Sequence, residues 1–177
     1  PGTASQTAAG GIDMFVLKLD ASGNLAWVTN FGGTNTDNPV SLDIDALGNI
    51  VVAGNFWGTV DFDPGPGNFD LVGSGNDIFI LKLDATGNFV WAVRLGNTSN
   101  ENPYSLMTDA AGNVHLGGSF SGSAAFDFDP GPGTHFVNST GVSEDCFLLK
   151  LDAAGNFLWV RTFGSTATDR LLSVKID

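Results

Sequence analysis

The sequence predicts an all-β fold of tandem antiparallel four-stranded blades, an open segment of a β-propeller spanning about 2.7 repeats, each with an extra β-hairpin. Three observations predict it. One unit recurs along the whole chain, its leading aspartate moving from Asp13 to Asp77 to Asp145, offsets of 64 and then 68 residues. Turn signals built on Gly and Asn punctuate every unit. The apolar stretches between them are dense in β-formers and too short for helices.

The repeat is read residue by residue. Asp13-Met-Phe-Val-Leu-Lys-Leu-Asp20 returns as Asp77-Ile-Phe-Ile-Leu-Lys-Leu-Asp84 and as Asp145-Cys-Phe-Leu-Leu-Lys-Leu-Asp152. Trp27, Trp91 and Trp159 keep one register within it, followed by Phe31-Gly-Gly, Leu95-Gly-Asn and Phe163-Gly-Ser. A second block, Ser41-Leu-Asp-Ile-Asp45, is matched by Ser105-Leu-Met-Thr-Asp109, and a third copy begins at Leu172. The chain starts and stops at unmatched points of the repeat, which predicts a piece of a longer array. The expected units are a partial blade of two last strands at 1–37, complete blades at 38–101 and 102–169, and the first strand of a following blade at 170–177.

Each element has a local cause. Asp-x-x-Gly-Asn occurs five times, starting at Asp20, Asp45, Asp84, Asp109 and Asp152, and each copy separates two apolar stretches. A Gly suited to positive φ, followed by resumed pairing, marks a short hairpin with a bulge. The Asp carboxylate can accept from backbone N–H groups ahead of it and hold the turn. In the middle unit the core strands are expected at 39–45, 50–56, 78–84 and 89–95. A further hairpin, 59–62 with 68–72, is expected to bend at Asp63-Pro-Gly-Pro-Gly67. No segment carries a 3.6-residue apolar stripe of helical length.

Composition narrows the function classes. Seven Lys and Arg stand against 19 Asp and Glu, a formal net charge of −12. Such a surface repels phosphate backbones, so nucleic acid is not an expected partner. No apolar run reaches transmembrane length, so membrane insertion is not expected. An acidic surface attracts cations, calcium first among them. Cys146 is the single cysteine, which rules out an intrachain disulfide and a cysteine-based zinc site. It occupies the slot of Met14 and Ile78 and reads as a small buried hydrophobe.

The pattern Asp-x-Phe-x-x-Lys-Leu-Asp-x-x-Gly-Asn-x-x-Trp, then Phe-Gly-Gly, then Asp-x-x-Gly-Asn, resembles the seven-bladed β-propeller repeat (SBBP-type) family of large secreted bacterial proteins. The resemblance covers nearly the whole chain. It implies tandem blades in an extracellular or cell-surface protein, and it supplies no shared catalytic residue to carry over. The units here exceed the roughly 40–50 residues of common propeller blades. The surplus is the hairpin with the Asp-Pro-Gly-Pro-Gly bend. Fewer than three copies also cannot close a ring of about 4–8 blades.

Asp61 and Asp63, with their counterparts Asp127 and Asp129, are the metal-site candidates. Two carboxylates spaced two apart on a strand share a side, and a Gly-rich bend exposes carbonyl oxygens that calcium uses. The competing reading is a stiff turn with Pro setting φ. Lys18, Lys82 and Lys150 sit inside apolar strands, where a snorkelling lysine, or one paired with a neighbour such as Asp20, is expected. His115 and His135 are not repeat-equivalent and read as structural or surface groups. The tryptophans read as blade-to-blade packing. Asn97-Thr-Ser and Asn138-Ser-Thr match the glycosylation sequon. No nucleophile elbow is present.

These observations lead to a non-catalytic structural or adhesive module, extracellular or on the cell surface, that assembles with further blades of the same protein or with identical chains. The alternative is a glycan- or ligand-binding propeller. The small polar loops at 32–38 and 96–102 weigh against that alternative.

Overall fold

Every Asp-x-x-Gly-Asn segment closes a tight turn in the same way. In the first, the Gly23 N–H donates to the Asp20 carbonyl at 2.9 Å and the Asp20 N–H to the Asn24 carbonyl at 2.8 Å. The Asp20 carboxylate accepts from the N–H groups of Ser22 and Asn24 and from the Asn24 amide. The turn glycines Gly23, Gly48, Gly87, Gly112 and Gly155 all have φ between 80 and 90°, a region that side-chain-bearing residues rarely enter. The turn is therefore self-contained, and it dictates the antiparallel hairpin on either side.

The computed structural model describes residues 5–97, 101–122, 124–141 and 143–176, and no helix occurs among them. Strands β1 (Met14–Leu19) and β2 (Leu25–Phe31) form a two-stranded sheet. Strands β3 (Asn38–Ile44), β4 (Ile50–Asp61), β5 (Asp70–Leu83) and β6 (Phe89–Leu95) follow in chain order as one antiparallel sheet. Strands β7 (Glu101–Thr108) and β8 (Val114–Phe120), then β11 (Asp145–Leu151) and β12 (Phe157–Phe163), form the next such sheet. Between them, β9 (Phe126–Asp127) and β10 (Phe136–Val137) pair as a small hairpin. The chain is an all-β array of propeller-type blades.

The extra hairpin differs from expectation in the first complete blade. It is not a separate element there: β4 and β5 run on through it, paired from Ile50↔Leu83 to Asp61↔Asp70, with one irregularity between Phe56 and Gly58. Gly58, at φ 79°, carries the bulge. In the second blade two more residues lie between Phe120 and Asp127 than between Phe56 and Asp61. The ladder breaks there, leaving β9–β10 as a sheet of its own.

Two cores hold the blades face to face. Met14, Val16 and Phe31 of the first sheet pack with Val52, Phe56, Phe62, Phe79, Leu81 and Leu83 of the second. Val51, Ala53, Ile78, Ile80 and Leu95 pack with Leu116, Phe120, Phe147, Leu149 and Leu151 of the third. Strand β5 is thus buried on both faces, its odd and even residues entering different cores. Phenylalanine rings anchor each: Phe62 lies 5.0 Å from Phe79, and Phe128 lies 5.1 Å from Phe147, centroid to centroid.

Residues 170–176 carry no ladder of their own, yet they follow the path of a further innermost strand. The Val174 N–H donates to Ser105 Oγ at 3.0 Å, just as the Leu106 N–H donates to Ser41 Oγ at 3.0 Å. Cys146 departs from its expected burial. It is half-buried, its thiol donating to the Phe163 carbonyl at 3.1 Å. The repeat places it on the face that would meet a further blade, whereas Met14 and Ile78 already face one.

Because Phe79 is completely buried at the centre of an aromatic cluster, Phe79→Ala should lower stability by about 3–5 kcal/mol. Urea unfolding followed by tryptophan fluorescence measures this.

Candidate functional site

The repeated lysine lies at the junction between successive blades. Lys82 on β5 pairs across to Val51, next to the turn that Asp45 opens. Its Nζ is 2.9 Å from Asp45 Oδ2, with the two side chains only 6% and 2% exposed. The same ammonium donates to the Ala153 carbonyl of the following blade at 3.4 Å. Lys150 forms the equivalent ion pair with Asp109 at 2.9 Å. Lys18 reaches the Ala85 carbonyl of its following blade at 2.9 Å, and Ala85 and Ala153 hold the same repeat position.

The lysine's partner is therefore not an aspartate of the Asp20 type. The Asp84 carboxylate braces its own turn, accepting from the Thr86 and Asn88 N–H groups, the Thr86 hydroxyl and the Asn88 amide; Asp45 braces its turn in the same way and also takes Lys82. The lysine turns instead to the aspartate of the neighbouring hairpin in its sheet.

Tryptophan completes the clasp. Trp91 Nε1 donates to the Ala153 carbonyl at 3.1 Å. Its ring covers Gly155, where an added Cβ would lie 3.3 Å away, and Trp27 covers Gly87 in the same way, at 3.1 Å. The glycine that permits the turn also gives the indole a flat seat. One blade thus presents a lysine and an indole, and the next presents a turn carbonyl and a bare glycine.

Burial opposes the charge on Asp45, but hydrogen bonds from the Asn49 amide and Lys82, with the Asn49 and Leu47 N–H groups, hold its carboxyl down at about 2. Asp109 is held below the ordinary range by Lys150 and Asn113 against the same desolvation. His115 sits beside this pair, 3.3 Å from Asp109 Oδ2, with its ring edge toward Trp159. His135 is exposed and stacks on Phe157 at 4.7 Å.

The candidate calcium carboxylates occupy the two bends. Strand β4 ends at Asp61, so Asp63 lies beyond the strand rather than two places along it. Asp61 Oδ1 accepts from the N–H of Asp63 at 3.0 Å and of Phe69 at 2.8 Å, and Asp63 Oδ1 from Gly65 at 2.8 Å. Asp127 Oδ1 accepts from Asp129 and His135, and Asp129 Oδ1 from Gly131. The carboxylates brace the bend from inside. Among the described residues, no three acidic, His or Cys side chains gather as a metal cage. Calcium takes about six to eight oxygens, so these bends would have to complete its shell with carbonyls and water.

Beside the first bend runs an open groove of about 350 Å³, its walls including Trp27, Phe89, Asp63, Pro64, Pro66 and Asn88. Phe69 stacks on Phe89 at its edge, 4.8 Å between centroids. Of the two sequons, Asn138 is exposed on the surface, while Thr98 and Ser99 of the other lie outside the described residues.

Sequence reasoning missed a buried acid pair. Asp77 and Glu101 are both fully buried, from successive blades. Burial pushes Glu101 up to about 7; the Asn97 N–H favours its charged form, and the Asp77 charge adds to the rise. Arg94 Nε pairs with Asp77 Oδ2. The repeated leading aspartate was the available signal, since Asp13, Asp77 and Asp145 each keep one buried oxygen without a hydrogen-bond partner.

No family model matches the chain. It is 27% identical over 188 aligned residues to an uncharacterized WD repeat-containing protein, L264, of Acanthamoeba polyphaga mimivirus. The match covers 93% of this chain and 14% of that protein, so the chain spans a small part of its relative's length. WD repeats are four-stranded propeller blades, which agrees with the two four-stranded sheets described above.

The Asp45 clasp yields a signed pH dependence. Its folded value lies below the ordinary 3.8, so its contribution is present above that value and is lost as pH falls through about 2. Asp45→Ala should cost roughly 3–5 kcal/mol near neutrality, by stranding Lys82. The difference from wild type should narrow by about 2 kcal/mol on acidification. Urea midpoints of both proteins across acid pH measure it.

Proposed function

We propose that this chain is a non-catalytic structural or adhesive module of an extracellular or cell-surface repeat protein, joining further blades of the same protein or identical chains. One observation carries the reading. The outer face of β1 presents Phe15, Leu17 and Leu19 to solvent, while their repeat equivalents in the two complete blades are fully buried. An apolar sheet face of this kind is a surface for association. The acidic charge and the resemblance to secreted repeat proteins support the location, and the repeated lysines support a clasping rather than a chemical role.

A second reading, glycan binding, is favoured by the groove beside Trp27 and Phe89, where aromatic faces stand next to the polar groups of Asp63 and Asn88. Aromatic faces suit the apolar sides of sugars, and carboxylates and amides suit their hydroxyls. Titration with an oligosaccharide panel, read by tryptophan fluorescence, tests it. Binding that disappears in Trp27→Ala supports it, and an unresponsive spectrum across the panel rejects it.

The module reading predicts that the 177-residue chain forms a defined multimer in solution. Sedimentation equilibrium with calcium and then with chelator measures its mass. A mass that falls on chelation, and is insensitive to chelator in Asp61→Asn/Asp127→Asn, would make the bends calcium sites that support assembly. A single-chain mass under both conditions rejects assembly.

A further inference from the structure

Between the two complete blades, the junction holds charge that the apolar cores cannot balance. Asp77 on β5 and Glu101 at the start of β7 are both fully buried. The Asn55 amide ties their backbones together, donating to the Glu101 carbonyl at 2.8 Å and to the Asp77 carbonyl at 3.5 Å. Gly96 closes over Asp77 so tightly that a Cβ there would clash with the Asp77 carboxylate. Water is thereby kept from a pair of acids.

One cation serves the two carboxylates. Asp77 Oδ2 accepts from Arg94 Nε and from the Ser74 N–H at 3.2 Å, while Asp77 Oδ1 has no hydrogen-bond partner. Arg94 also donates to the Gly96 carbonyl at 3.3 Å, which fixes it at this spot. Its charge offsets that of Asp77 and leaves Glu101 uncompensated. Among the described residues, Asp77 from β5 and Arg94 from β6 are the charged groups that act on Glu101, and the Asn97 N–H favours its charged form. Two like charges in one buried site do not both ionise cheaply, and one of them takes a proton. A metal ion is the other way to neutralise such a pair. Here Arg94 already holds the cation's place, and no third acidic, His or Cys side chain joins the two among the described residues.

We propose that the Asp77–Glu101 pair is a proton-binding site that makes the junction between the two complete blades pH-sensitive: a proton on Glu101 holds the blades together, and its loss loosens them. Burial and the Asp77 charge raise Glu101 from its ordinary 4.5 to about 7. Its contribution is therefore fully present below the ordinary value and is lost as pH rises through about 7. The sense is opposite to that of Asp45, whose contribution is lost in acid. The two devices bracket a range in which the array is most firmly joined.

Glu101→Gln keeps the shape of the protonated acid and removes its titration. Between about pH 5 and about pH 8 the urea midpoint of wild type should fall, while that of E101Q should fall less and exceed wild type at the alkaline end. Infrared spectroscopy locates the proton. The carbonyl stretch of a buried protonated acid should be present in wild type at mildly acidic pH, disappear on the alkaline side, and be missing from E101Q. Arg94→Gln removes the positive charge beside the pair and should move that disappearance to higher pH; Asp37, which burial also raises, belongs to another junction and is untouched by it. An E101Q midpoint that tracks wild type throughout, or a band that E101Q keeps and R94Q does not shift, would overturn the proposal. Calcium added on the alkaline side is the last arm. A midpoint that rises in wild type but not in E101Q would make the pair a metal site and overturn the proton assignment.

Discussion

A sheet that is apolar on both faces cannot stand alone in water, and the rest of this structure depends on that constraint. In β5, Ile78 and Ile80 enter one core while Phe79, Leu81 and Leu83 enter the other. Burying only one face would leave several large side chains in water, each worth about 1.5–3 kcal/mol when covered. Stability therefore belongs to junctions between blades more than to any blade, as in other stacked repeats.

One short turn motif serves two purposes in this scheme. Its aspartate, glycine and asparagine close a hairpin without outside help, so the turn forms wherever the motif stands. Once formed, two of the turns offer features to a neighbouring blade. Ala85 and Ala153 present carbonyls, and Gly87 and Gly155 present flat seats for indoles. Lysine and tryptophan from the preceding blade fill them. The apolar cores supply adhesion between blades, and the clasp supplies register, since a carbonyl and a glycine accept their partners only at one offset. The weak resemblance to a WD repeat-containing protein fits this picture at the level of blade architecture.

Asp37, Glu101 and Asp169 recur at one position of the repeat. Asp37 accepts from the Gly33 N–H and Asp169 from the Ser165 N–H, each at 2.7 Å. Glu101 holds the same repeat position with one more methylene and, like Asp37, is fully buried. Burial raises its carboxyl toward neutrality and the Asp77 charge adds to the rise, as burial and the Asp13 charge raise Asp37.

The amino-acid sequence by itself determined the repeat, the all-β class and the hairpin turns, because each rests on contacts between residues a few positions apart. The Asp20, Asp45, Asp84, Asp109 and Asp152 turns are local chemistry and were legible as such. The packing role of Trp27 and Trp91 followed from their register. The partner of Lys82 was not legible, because Asp45 lies 37 residues away and reaches it only when β4 is laid between β3 and β5. The continuous run of β4 and β5 through the extra hairpin depended on strand pairing, and so did the position of Asp63 beyond the strand end. The partial exposure of Cys146 and the burial of Glu101 depended on which faces have a neighbouring blade. Those outcomes belong to the tertiary structure, because burial is a property of two surfaces meeting and the repeat pattern describes only one of them.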